Sequence, residues 1–122
     1  MTGPVLTNRI IVVAAVIERD ARILVTRRLP GTHLAGYWEF PGGKLEAGET
    51  HDDCLLRELR EELGTEIKVG SKLHTSCFTY PDRAIELHFY CCTALIEPRP
   101  VLGQEMRWVS RSKLAQLRLP PA

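Results

Sequence analysis

The chain predicts an α+β or mixed α/β sandwich. Three observations lead to it. Strand-like apolar segments recur along most of the 122 residues, the period changes once to a strong helical repeat after Thr50, and one weaker helical stretch follows Ser110. A chain of this length forms one domain, 1–122, and can bury roughly two-thirds of its unfolded surface, enough for a core without disulfides.

Ile10 to Ile17 is Val, Ile and Ala throughout, which suits a strand buried on both faces. Glu18-Arg19-Asp20-Ala21 is a polar break, and Arg22 to Arg28 resumes as the second strand of a hairpin. Pro30-Gly31 opens a loop, and Tyr37-Trp38-Glu39-Phe40 is a short aromatic strand that stops at the turn Pro41-Gly42-Gly43. Thr50, with Asp53 three residues on, has the form of a helix N-cap. Leu55, Leu56, Leu59 and Leu63 then recur at helical spacing, and Gly64 supplies the stop. Strands follow at Glu66 to Val69, Leu73 to Tyr80 and Ala84 to Ile96, the last two joined by the turn Pro81-Asp82-Arg83. Met106 to Val109 is a further short strand, and Ser110 caps a weak helix reaching Leu117.

Sixteen basic residues against fifteen acidic ones leave a net charge of +1, which argues against nucleic acid polymers as partners. The longest apolar run falls far short of the about 20 residues of a membrane span. No secretory pattern opens the chain. Cys54, Cys77, Cys91 and Cys92 lack C-x-x-C spacing, and Cys91 and Cys92, adjacent on a strand and so on opposite faces, read as small buried apolar side chains, so a reduced, cytoplasmic setting is expected.

The helix carries Glu58, Glu61 and Glu62 at i, i+3 and i+4, which aligns three carboxylates on one face. Two readings fit them. They form a solvated face offset by Arg57 and Arg60, or they bind a hard divalent cation, which takes oxygen ligands and shares them with substrate phosphates. The glycines upstream let backbone approach a ligand or metal closely.

Gly43, Glu49, Arg57-Glu58-Leu59, Glu61-Glu62 and Gly64 stand at the spacing of the Nudix box, and the chain resembles the Nudix hydrolases over eight specified positions in 22 residues. The box usually ends in a bulky aliphatic residue, where this chain has Thr65. Trp38 to Glu46, the run Val25-Thr26-Arg27-Arg28 through His33, Tyr80-Pro81-Asp82-Arg83 and Trp108-Val109 are similar to the MutT-type branch, the nucleoside triphosphate pyrophosphohydrolases. The resemblance implies the Nudix fold, an α+β fold with a mixed β-sheet sandwiched between helices, and a magnesium site, with manganese able to replace the ion. Its ligands would be Glu58, Glu61, Glu62 and the Gly42 carbonyl, with Glu58 also helping to deprotonate the attacking water. Arg57 would orient a carboxylate such as Glu49. Arg28, Glu39, Tyr80 and Arg83 match the substrate side: Arg28 suits phosphate, Arg83 a nucleotide contact, and Tyr80 either a base wall or hairpin packing.

Some relatives carry a glutamate about six residues before the equivalent of Trp108. Here that position is Leu102, and Glu105 is the nearest acid. The sequence stops at Leu119-Pro120-Pro121-Ala122, where similar proteins continue with a polar residue that reads the base, which leaves base discrimination open. The resemblance implies hydrolysis of a (deoxy)nucleoside triphosphate to monophosphate and pyrophosphate, with 8-oxo-dGTP or modified cytidine triphosphates as candidates, by a monomer or homodimer. Two alternatives are a hydrolase of another nucleoside diphosphate-X substrate such as ADP-ribose, and a non-catalytic module that senses nucleotides.

Overall fold

A computed structural model describes residues 9–117. Its elements run β1 (Arg9–Arg19), β2 (Arg22–Arg27), β3 (Trp38–Glu39), β4 (Gly42–Lys44), α1 (His51–Leu63), β5 (Ile67–Thr79), β6 (Ala84–Ala94), β7 (Met106–Ser110) and α2 (Arg111–Leu114). The segment Leu119 to Ala122 lies outside the described residues.

β1 organises the sheet. Along most of its length it pairs parallel with β6, from Arg9↔Ala84 to Ile17↔Cys92, and antiparallel with β4 on its other edge. Its last residues then turn into the hairpin with β2, which carries β3 and β7. Asp20 and Ala21, at φ 52° and 61°, make the two-residue turn, so the polar break is narrower than the sequence suggested and Glu18 and Arg19 stay in the strand. β5 pairs antiparallel with β6 at the sheet's edge.

Helix α1 forms where the leucine spacing placed it. The Thr50 side chain accepts from the Asp53 N–H at 3.1 Å, and Gly64 ends the helix in the left-handed conformation. Leu55, Leu59 and Leu63 are buried with Cys54 against Val13, Ala15, Ile17, Leu24, Ile67 and Cys92. A smaller cluster of Val25, Trp38 and Val109 is covered by Phe40, Leu114 and Leu117, so a helix serves each of the two apolar clusters. Thr65, at 1% exposure in place of an aliphatic residue, donates its hydroxyl to the carbonyl of Ile96, so this polar exchange in the core is satisfied.

Several elements differ from the sequence reading. Pro41-Gly42-Gly43 leads into a strand, because Gly42 and Gly43 pair with Ala14 and Val13 of β1. The two strands predicted around Gly70 are one, since register shifts between Val69 and His74 let the chain continue through a bulge. β3 is shorter than predicted: Tyr37 still belongs to the preceding turn, and Pro41 has no N–H for a ladder. α2 is one turn, capped by Ser110, after which the bonds tighten to i→i+3 at Gln116 and Leu117. Cys92 is buried as expected, whereas Cys91 is exposed, because adjacent strand residues face opposite ways and only one face meets the core; Cys54 is buried and Cys77 exposed.

Under the start of α1 lies a polar network that the sequence did not announce. His51 Nδ1 is 2.6 Å from the Tyr90 hydroxyl, and the His51 and His88 rings meet at a tilt of 58° with their centres 4.6 Å apart. His88, 5% exposed, also meets Glu86 at 2.6 Å and Thr75 at 3.4 Å, and Glu86 pairs with Arg9. Burial is the first cause holding both histidines below their ordinary value of 6.5; His88 and then Lys72 add to it at His51, where Asp52 opposes them, and Lys72 and then Arg9 add to it at His88. The unfolded chain therefore binds protons at these histidines below about pH 6.5 that the native protein does not, and their contribution to stability falls as pH drops through that value. His51→Phe, which keeps an aromatic ring beside Tyr90, should gain on wild type in urea unfolding midpoint as pH falls from about 6.5 toward about 5.

Candidate active site

The site forms where α1 crosses β4. A side chain on Gly42 would overlap the Val13 carbonyl, and one on Gly43 would overlap the Glu58 carboxyl group. The glycines therefore allow the carboxylates of α1 to lie directly over the strand. The Gly42 N–H donates to Glu62 Oε2 at 3.1 Å.

Arg57 organises the acids. Its guanidinium grips Glu49 through two bonds, Nε to Oε2 at 2.7 Å and Nη2 to Oε1 at 3.1 Å, and also donates to Glu58 Oε1 at 2.7 Å and to the Lys44 carbonyl at 3.2 Å. The hydrogen bond from Arg57 draws the Glu49 carboxyl down to about 2. Arg57 thus ties the loop before α1 to the helix, and the expectation that it orients Glu49 matches the geometry.

Glu58 and Glu62 behave differently. Burial is the first cause raising both, and for Glu62 the neighbouring Glu58 charge is the second, so its carboxyl reaches about 8. Arg57 opposes the rise at Glu58. Glu61 stands apart: its side chain is 59% exposed and meets Arg57 at 3.4 Å. The structure thus brings Glu58 and Glu62 together over the glycines and leaves Glu61 at the rim. Among the described residues no three acids, histidines or cysteines converge tightly enough to form a closed metal cage. Two crowded, partly desolvated carboxylates above a bare backbone nevertheless fit a hard divalent ion that keeps several waters.

Beside Glu62 opens a cavity of about 180 Å³, lined by Thr26, Arg28, Glu39, Leu102 and Gln104 among others. Arg28 Nη1 donates to Glu39 Oε1 at 3.0 Å, and its Nε to the His33 carbonyl. Burial raises the Glu39 carboxyl, against the lowering effect of Arg28. Thr26, Leu102 and Gln104 were not singled out as cavity residues by the sequence. Gln104 could have been suspected from its place in the loop before Trp108, but its inward direction has no sequence signal.

Tyr80 and Arg83 do not line the cavity. They sit at the β5–β6 turn, with the Arg83 guanidinium 5.5 Å from the Tyr80 ring centre. They mark the end of a half-buried aromatic strip on the sheet face opposite α1, through Phe78–Tyr80 at 4.6 Å, Phe89–His74 at 6.1 Å and Phe40–Phe89 at 5.8 Å. Glu105 is engaged elsewhere. It pairs with Arg27 at 2.9 Å and Arg107 at 3.5 Å, and these two cations lie over the Trp38 ring.

The raised carboxyl has a thermodynamic consequence. Glu62 keeps its proton in the native state up to about 8, whereas the unfolded chain loses it near 4.5, so its contribution to native stability falls as pH rises between these values. In EDTA, the melting temperature of Glu62→Gln should therefore gain on that of wild type as pH rises through this interval. Magnesium should narrow the gap, because a bound cation favours the charged wild-type carboxylate.

The comparisons with known proteins agree with this geometry. The NUDIX domain family matches residues 12–122. The chain is 41% identical over 119 residues to an 8-oxo-dGTP diphosphatase of Haemophilus influenzae, covering 94% of this chain and 87% of that protein. It is 48% identical over 77 residues to a CTP pyrophosphohydrolase of Escherichia coli, covering 63% of this chain and 57% of that protein. The solution structure of the E. coli ORF135 protein superposes with a TM-score of 0.87 at 38% identity, covering 98% of this chain and 87% of that one. With the box acids in place on a helix laid over a glycine strand, the chain belongs to the Nudix hydrolases, in the MutT-type branch of nucleotide pyrophosphohydrolases.

Proposed function

We propose that the protein hydrolyses a (deoxy)nucleoside triphosphate to the monophosphate and pyrophosphate, with magnesium, or manganese in its place, and that 1–122 acts as a single domain. The observation that carries this reading is the adjacency of Glu58 and Glu62 to a cavity holding Arg28. Acids that repel one another stand beside a cation suited to phosphate oxygens, and a metal-bridged phosphate chain answers both. Glu58, Glu62 and the Gly42 carbonyl would hold the ion, with Glu61 reaching in from the rim; when bound, it neutralises phosphate oxygens and lowers the pKa of water.

The residues of the chain divide the remaining work. Glu58, fixed by Arg57 at 2.7 Å, is placed to take the proton of the attacking water. Arg28 binds the phosphate chain, exchanging its bond to Glu39 for one to substrate. The cavity, at about 180 Å³, is smaller than the roughly 300–1,000 Å³ of sites that enclose a whole small molecule. It accommodates phosphates, and the nucleoside lies on the open aromatic strip that starts at Phe40 and Phe89 and ends at Tyr80 and Arg83. The relatives' names favour 8-oxo-dGTP and cytidine triphosphates as the first substrates to try. A role in clearing damaged nucleotides follows if an oxidised base is preferred.

A screen of canonical, oxidised and methylated triphosphates, with magnesium or EDTA, tests the reading. Pyrophosphate should appear as the co-product, only with the metal. Glu58→Gln and Glu62→Gln should each lose at least about 100-fold in kcat, while Glu105→Gln, altered at the Trp38 cover, should retain the wild-type rate. Orthophosphate as the sole product, or turnover that survives EDTA, would overturn the proposal.

A further inference from the structure

We infer that Gln104 is a positioning residue for Glu62, and that it sets the geometry of the metal-binding acid from the side of the helix backbone. The inference rests on the reading of Glu62 as a metal ligand. The last carbonyls of a helix have no partners within it. Here the loop after β6 supplies them: the Arg99 N–H donates to the Leu63 carbonyl at 2.9 Å, and the Val101 N–H to the Glu62 carbonyl at 3.2 Å. Gln104 adds a second bond to that same oxygen, its Nε2 donating at 3.0 Å, which fills both lone pairs. Its own Oε1 accepts the Leu102 N–H, also at 3.0 Å.

Capping alone does not call for this arrangement. The Glu62 carbonyl already has Val101, and Leu102, at 53% exposure, borders solvent that could serve its N–H. What the glutamine adds is a link between two parts of one cavity. It is 8% exposed, lines that cavity with Glu62 and Leu102, and is bonded to both. Glu62 is consequently held at two ends, its carboxylate by the Gly42 N–H and its backbone by Gln104 and Val101. Groups that orient a metal-binding side chain without touching the ion commonly govern affinity and rate as strongly as some ligands do.

The variant Gln104→Met keeps the volume and removes both hydrogen bonds. Thr65→Val is its comparator, because it removes the hydroxyl bond to the Ile96 carbonyl and loosens the same connection without touching Glu62. Manganese(II) alone, titrated into the full-length protein and followed by its electron paramagnetic resonance signal, reads the site without turnover. Gln104→Met should bind manganese at least about tenfold more weakly and lose kcat with the nucleotide KM little changed. Thr65→Val should melt at a lower temperature and bind manganese as wild type does. Unchanged manganese affinity in Gln104→Met, or an equal loss in Thr65→Val, would overturn the inference. A wild-type protein that binds manganese but releases no pyrophosphate would refute the proposed reaction while leaving this comparison decisive for Gln104.

Discussion

The contact on which the other features depend is the one between helix α1 and the Gly42–Gly43 strand, where a carboxylate layer replaces the side chains that would normally separate helix from sheet. Adding a single carbon at either glycine would collide with the Val13 carbonyl or the Glu58 carboxyl group. Because that space is kept clear, acids that would otherwise point to solvent are drawn over backbone and partly desolvated. Burial then raises Glu58 and Glu62, and the Glu58 charge raises Glu62 further. The fold holds this unfavourable charge in place with a leucine face beneath α1 and with β4 zipped to β1.

Arg57 makes the arrangement tolerable. It joins Glu49, Glu58 and the Lys44 carbonyl, and so fixes the loop, the helix and the strand to one guanidinium. A planar fork with several donors suits that task, which a lysine ammonium would do less well. The acids fall into two groups as a result. Glu49 is permanently charged and structural, whereas Glu58 and Glu62 remain under-compensated and available to a cation. A motif that lists the acids at equal rank conceals this difference, and the structure separates them by how many donors each meets.

The sequence made the central helix legible, along with its cap, its stop, its buried leucines and the acids it carries, because helical period and capping are local properties. The Nudix resemblance lay in the same stretch, so the fold and the box could be anticipated from it. Long-range facts were less visible. That Gly42 and Gly43 join a sheet depends on β1, some 30 residues earlier in the chain, offering a free edge. The bulge in β5 looked like a chain break because a register shift has no composition of its own. The inward turn of Gln104, the His51–His88 contact and the occupation of Glu105 by two arginines are likewise set by tertiary neighbours.

The connection from Leu95 to Glu105 shows how one loop can change its contribution without leaving the site. By resemblance it is the place from which some relatives supply an additional glutamate, yet here the rim residue is Leu102 and the nearby acid is committed to the cover over Trp38. Moving Glu105 to the cavity would leave Arg27 and Arg107 without their shared carboxylate, so the chain is poorly placed to substitute one acid for the other. The loop instead contributes backbone and amide groups: two N–H donors and a glutamine fastened to the last turn of α1. On the proposed reading its effect on the chemistry passes through the placement of Glu62, and the acids lining the cavity are Glu62 and Glu39. Arg28, held by Glu39 at 3.0 Å inside that cavity, is the cation the proposed reaction assigns to the phosphate chain.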